Sequence, residues 1–174
     1  MKISVILLFL PLFIAIVNIP AKMEKKIDKE VMSIFDVIAY SKESVVINED
    51  INMTLPLKFN DDSFYKVIID NKLIGYFYYG YAPSKADVFD YVVIFDKELI
   101  IKKIKILAYR EDYGGEIGSK RWLKQFNDLS IKDSVVYRKN IKGISGATIS
   151  AMSMTVTVNK LLESLAIIQE RNAL

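Results

Sequence analysis

The sequence predicts an α+β fold: a mostly antiparallel sheet with helices packed against it, preceded by an N-terminal membrane or signal segment. Three observations lead there. Four runs rich in aromatic and β-branched residues, between Phe64 and Tyr109, come as two pairs, each split by a short polar turn. The C-terminus repeats apolar residues at helical spacing. The extreme N-terminus is almost unbroken apolar sequence.

Taken in order, Met1-Lys2 leads into an apolar run from Ile3 to Ile19, interrupted only by Ser4, Pro11 and Asn18. A positive start followed by an apolar stretch is the pattern of an export signal. As a helix the run is about 25 Å long, against a hydrocarbon core of about 30 Å. Ala21 offers a small residue for cleavage, but Ile19 is bulky where a small one is preferred. A cleaved signal and a retained anchor both stay open, so residues 1–21 are read as either. With Lys2 inside, both readings put the rest of the chain outside the cytoplasm, in the periplasm or on the outer face of the cytoplasmic membrane.

Residues 22–62 are read as one amphipathic helix and a connecting region. Ile27, Val31, Ile34, Phe35 and Ile38 fall on a helical stripe across residues 23–40, with Lys and Glu between. Residues 41–62 have no clear period, beyond room for one short strand. Residues 63–174 are the main domain. Phe64 to Ile69 and Leu73 to Tyr81 flank Asp70-Asn71-Lys72, and Val88 to Phe95 and Ile100 to Tyr109 flank Asp96-Lys97-Glu98. In the last of these strands Ile104, Ile106 and Ala108 alternate with Lys103 and Lys105, which predicts one wet face. A loop with Gly114, Gly115 and Gly118 follows, then a helix from Lys120 to Asn127. The final helix carries Ala151, Met154, Val158, Leu161, Leu162, Leu165 and Ile168 on one stripe.

Composition narrows the chemistry. The chain has 174 residues, no Cys and no His. Disulfides, Cys- or His-ligated metals, iron–sulfur clusters and a Ser-His-Asp triad are excluded. The net charge of +3 comes from mixed Lys and Asp/Glu with no basic stripe, which argues against a nucleic-acid partner. No catalytic side chain and no metal site is assigned. Adjacent carboxylates such as Asp61-Asp62 read as solvated. Asp87 and Asp90 read equally as site residues or as edge charges. Trp122 reads as core or as a stacking partner, and Lys120 and Arg121 as surface charge or as a counter-charge to an anionic ligand.

The start of the last helix is the one segment that points to a ligand. It reads Gly143-Ile144-Ser145-Gly146-Ala147-Thr148-Ile149-Ser150. Ser145 is placed to cap the helix. Gly146 and Ala147 are small enough for a ligand to approach the backbone. Thr148 is expected near the third helical position, presenting a hydroxyl beside the unpaired N–H groups of the first turn, which favour a phosphate. On residues alone, an ordinary capped helix start is the favoured reading, because Ser-Gly-Ala is common.

Ser145-Gly146-Ala147-Thr148 resembles the flavinylation motif of the FMN-binding domain family, which includes the C subunit of sodium-translocating NADH:quinone reductase and the G subunit of the Rnf complex. The resemblance implies FMN joined covalently through its phosphate to Thr148, installed by a flavin transferase with FAD as donor. It also implies that the loop entered from the strand Ile104 to Tyr109, with Glu111, Gly114, Gly115, Glu116, Ile117 and Gly118, packs against the isoalloxazine. The resemblance covers roughly residues 64 to 170. Two departures stand out. Lys142 occupies a position that is usually acidic and that the transferase reads, and the Gly loop is longer than Glu-Thr-Pro-Gly-Leu-Gly.

The resulting expectation is an exported or membrane-anchored electron carrier. Its partner would be a redox protein or a quinone-linked membrane complex. Two alternatives remain: a flavin-dependent reductase acting on a small acceptor, and a flavin-free exported interaction module.

Overall fold

Five strands hydrogen-bond in chain order, β1-β2-β3-β4-β5, every neighbouring pair antiparallel. They are β1 (Ser41–Ser44), β2 (Phe64–Ile69), β3 (Lys72–Pro83), β4 (Val88–Asp96) and β5 (Ile101–Ala108). The computed structural model describes residues 19–174. The N-terminal apolar run therefore lies almost wholly outside the described residues. Among the described residues the α-helices are α1 (Ala21–Phe35), α2 (Glu49–Thr54), α3 (Lys120–Leu123) and α4 (Thr148–Glu170).

Both central hairpins form where the turn chemistry places them. Asp70 and Asn71 take φ 48° and 59° between the paired residues Ile69 and Lys72. Two positive φ values in a two-residue loop match the right-handed twist of the flanking strands, and Asx residues tolerate them. Asp96 Oδ1 accepts the Glu98 and Ile100 N–H groups and closes the second turn.

The sheet is covered on both faces. On one side α4, with Phe126 and Ile117, packs against Phe64, Tyr76, Tyr78, Phe89, Tyr91, Val93 and Phe95. On the other, Met23, Ile27 and Val31 of α1 pack against Tyr65, Val67, Phe77, Tyr79, Val92 and Ile94. Successive side chains of β3 and β4 thus enter opposite cores. This is why β4 is buried continuously from Phe89 to Phe95 and does not alternate.

Every apolar residue of the predicted C-terminal stripe is buried in α4. Among the described residues α4 is also the one helix long and apolar enough to cross a membrane, but its apolar stripe is spent on the sheet.

Three expectations change. The amphipathic helix ends at Phe35, where Asp36 turns to φ 53°, and Ile38 is left exposed. The connecting region holds both β1 and the short helix α2. The polar face of β5 is not simply wet: Lys103 and Lys105 reach Glu30 of α1 at 2.5 and 4.0 Å, and Lys26 donates to the Leu107 carbonyl. The charged edge of α1 supplies partners for lysines that the strand pattern alone assigns to solvent.

Candidate functional site

Three chain segments meet at one end of the sheet: the β3–β4 loop at Ser84–Asp87, the segment leaving β5 at Tyr109–Gly114, and the turn leading into α4. Each is fixed by identifiable contacts. The Glu111 carboxylate accepts from the Ser84 hydroxyl at 2.5 Å, the Ala86 N–H at 2.7 Å and the Asp87 N–H at 3.3 Å. The Ala86 backbone bond, then the Ser84 bond, holds this carboxyl below the usual range. One residue earlier, Arg110 pairs with the buried Asp90 and donates to the Val88 carbonyl at 2.8 Å. Asp90 also accepts from Tyr79 Oη at 2.7 Å. Burial first, then the Tyr81 and Asp90 hydrogen bonds, raises the Tyr79 phenol. Arg110 thus ties the end of β5 to β4, and Glu111 clamps the β3–β4 loop.

The turn into α4 is built differently from the sequence expectation. Ser145 does not cap the helix. Ser145 and Gly146 form a tight turn in which the Ala147 N–H bonds the Ile144 carbonyl at 3.4 Å, and Gly146 takes φ 81°. That left-handed glycine prevents the helix from reaching back to Ser145. Ala147 becomes the N-cap and no side chain caps the helix. Thr148 is consequently the first helical residue, not the third. The first intrahelical bond of this turn runs from the Ala151 N–H to the Ala147 carbonyl at 2.9 Å, so the N–H groups of Thr148, Ile149 and Ser150 have no partner within the helix. The exposed Thr148 hydroxyl has one weak contact, to the Ile144 carbonyl at 3.5 Å.

Gly114 joins the second segment to the third. Its φ is 84°, and a Cβ built there would lie 3.1 Å from both the Ala147 Cβ and the Gly146 carbonyl oxygen. Only glycine allows this approach without displacement. Tyr109 adds a hydrogen bond to Ser150 Oγ at 3.0 Å.

Between these segments lies a cleft of about 440 Å³, lined by Lys85, Ala86, Tyr109, Glu111, Asp112, Tyr113 and the residues from Gly146 to Ser150. It falls within the range of small-molecule and cofactor sites. A larger cleft of about 710 Å³ lies on the other side of the same turn, lined by Glu116, Ser119, Arg121, Trp122, Gln125 and Lys142 to Ser145. The smaller one is the better candidate, because it holds the exposed hydroxyl and the unpaired amides of α4.

The ten residues singled out from the sequence are thus divided. Thr148, Gly146, Ala147 and Glu111 line the smaller cleft, and Gly114 supports it. Ser145 and Glu116 line the larger one. A Cβ on Gly115 would meet open space, and one on Gly118 would meet only Ile106, at 4.0 Å. Ile117 is fully buried in the α4-side core, so its side chain is packing. Trp122 is buried too, its indole N–H donating to the Lys142 carbonyl at 2.7 Å. Lys85, Tyr109 and Tyr113 line the smaller cleft without having been singled out. The only sequence signal for Lys85 is its place in a Pro83-Ser84 loop between strands.

The residues present fit a phosphate-bearing planar ligand: three unpaired N–H groups at a helix start, one lysine, and two tyrosines beside a glycine-supported wall. A comparison with family models bears on which ligand. Residues 85–163 match the FMN-binding domain. The match begins at Lys85 and ends within α4, so it takes in all three segments that build the cleft. An FMN-binding domain supports FMN as the cofactor and a flavin-binding role for the chain. No curated protein matches the chain.

Proposed function

We propose that this FMN-binding domain is an electron carrier whose FMN is esterified through its phosphate to Thr148. The observation that carries the reading is the exposed Thr148 hydroxyl at the uncapped start of α4, beside three amides with no helical partner. In the attachment step the Thr148 oxygen forms a bond to the FMN-side phosphorus of FAD. The pyrophosphate P–O bond breaks, AMP leaves and the hydroxyl proton is lost. A flavin transferase performs this step.

Bound FMN supplies one- and two-electron chemistry, and the protein supplies binding, orientation and field. The amides of Thr148 to Ser150 hold the phosphate charge, aided by the helix dipole. Lys85 adds a positive charge and Tyr113 an exposed aromatic surface. Glu111 keeps the β3–β4 loop in place, and its lowered pKa keeps it ionised beside the cleft. The chain's lack of His and Cys suits a carrier that needs no side-chain acid or nucleophile. The apolar Ile3–Ile19 run supports export, as a retained anchor or a cleaved signal, placing the domain beside a redox protein or quinone-linked complex.

The test is a mass measurement. Co-expressed with a flavin transferase, the protein gains the mass of FMN minus water and fluoresces in a denaturing gel. Thr148→Ala gains neither. Covalent flavin on the Thr148→Ala protein overturns the assignment.

A further inference from the structure

Charge is unevenly spread along the chain, with a basic segment leading up to the α4 turn. Segment 120–142 carries seven cations (Lys120, Arg121, Lys124, Lys132, Arg138, Lys139 and Lys142) against two carboxylates, Asp128 and Asp133. That is a net +5 in a chain of net +3, so all the rest is net −2. The two carboxylates are partly engaged elsewhere: Asp133 caps Ser130, and Asp128 lies 3.9 Å from Lys102. Among the described residues none of the seven cations has a carboxylate within ion-pair distance. Arg121 and Lys142 line the larger cleft, with Glu116 the one carboxylate there, and this cleft reaches Ser145.

On the other side of the turn, the start of α4 presents apolar residues outward. Ile149, Met152 and Val156 form an outward stripe on the first turns of α4, exposed by 45%, 47% and 45%. Tyr113, 85% exposed, lies across the smaller cleft from Ile149. The stripe turns charged at Lys160 and Glu163, so the apolar part is confined to the end that carries Thr148. Exposed apolar residues gathered at one place mark contact surfaces.

We infer that this surface docks an electron-transfer partner protein with an acidic rim and an apolar centre. The inference rests on the reading of Thr148 as the flavin-bearing residue, because electrons pass only where a partner comes close to the flavin. Complementary charge steers such encounters and sets their orientation. The apolar centre then brings the two redox groups together over a small, transient interface. Glu111 and Asp112 line the smaller cleft beside Tyr113, whereas Arg121 and Lys142 line the larger one, so an acidic rim fits the larger-cleft side and is disfavoured on the other, which fixes the orientation further. Each productive encounter oxidises one carrier and passes one electron to the flavin. Two one-electron carriers, with protons from solvent, reduce it fully.

Two probes of opposite charge test the surface: an acidic plant-type [2Fe–2S] ferredoxin and the basic cytochrome c. Binding is read first on 15N-labelled, flavin-free Thr148→Ala protein, so the result does not depend on flavin loading. Ferredoxin should perturb amides in 120–142 and 149–156, with affinity falling at least about threefold as ionic strength rises from about 20 to about 200 mM. Arg121→Glu with Lys124→Glu should weaken it by at least about threefold at low salt, and Met152→Ser should weaken it at every salt concentration. Cytochrome c should bind more weakly than ferredoxin to the wild-type surface. Perturbations elsewhere, no binding, or equal response to both probes overturns the inference. On flavin-loaded protein, the rate of flavin reduction by reduced ferredoxin should show the same salt dependence. If the flavin-free protein docks ferredoxin but Thr148 never loads, the docking surface stands and the assignment of Thr148 falls.

Discussion

The two faces of the sheet are covered in unequal ways. The α4 face is a deep aromatic and aliphatic core in which Phe64, Phe89, Tyr91, Phe95, Phe126, Met154 and Leu161 are all buried. The α1 face is a thinner seam, with one amphipathic helix laid on the sheet and its rim held by charged contacts such as Lys103–Glu30. The candidate flavin cleft belongs to the first face, since the helix that seals that core also presents Thr148. The α1 face completes the sheet without touching the cleft. Stability and function should therefore be coupled on one side and separable on the other.

The sharpest way to break this comparison is a matched pair of truncations. Leu161→Ala should cost about 4 kcal/mol, near the upper end for a fully buried leucine, and should lower flavin loading by loosening the seat of α4. Ile27→Ala should cost about 2 kcal/mol and leave loading unchanged. Chemical denaturation with flavin content measured in parallel checks both. Equal loss of loading in the two variants would remove the distinction between the faces.

Asp90 tests whether the division is complete. It bonds Tyr79, which lies on the α1 side, yet it also anchors Arg110 at the entrance to the cleft segment. Asp90→Ala removes a buried acceptor from a phenol and a guanidinium, at an expected cost of about 2–3 kcal/mol. Thermal unfolding gives the stability change. The flavin absorption spectrum should shift as the β3–β4 loop loosens, and an unchanged spectrum would confine Asp90 to the scaffold.

Smaller effects probe the cleft alone. Gly114→Ala introduces a side chain at φ 84° against Ala147, with an expected cost of about 1–2 kcal/mol and reduced flavin loading. Near-wild-type stability and loading would show that the glycine loop does not need to touch the turn.

The smallest effect is a pH response. The Glu111 carboxyl is held below its ordinary value by the Ala86 and Ser84 bonds, so the folded loop favours the ionised form. Its contribution is present above the ordinary carboxylate range and is lost as pH falls through the lowered value. The Ala86 and Asp87 amide resonances should therefore shift in acid, below about pH 4.5, before global unfolding. Glu111→Gln should abolish that transition, and its persistence would assign it to another carboxylate.

Much of this architecture is legible in the residues, for a physical reason. Strands β2 to β5 are marked by aromatic and β-branched runs broken by Asx turns, and α4 by its 3–4 stripe; both are local signals. What escapes the sequence depends on partners distant along the chain. Lys103 and Lys105 look solvated until α1 brings Glu30 across the sheet. Glu111 looks like a candidate to face the ligand directly. Its role in holding the 84–87 loop needs contacts 24 to 27 residues away. Ser145 is the instructive miss. As an N-cap candidate it is well chosen by residue type, but Gly146 one position later adopts a left-handed conformation and moves the helix start to Thr148. The motif itself was visible. Its geometry was set by a single glycine dihedral.

The folded body starts early. Ile19 is already buried against the α1-side core, and the Pro20 carbonyl accepts from Met23 and Glu24 in the first turn of α1. A peptidase cutting after Ala21 would act within that turn, and so would have to act before the helix docks. If the apolar run is kept as an anchor, no described residue after Ile19 is free of the fold to serve as a leash, and the domain's reach for a partner would draw on lateral diffusion in the membrane.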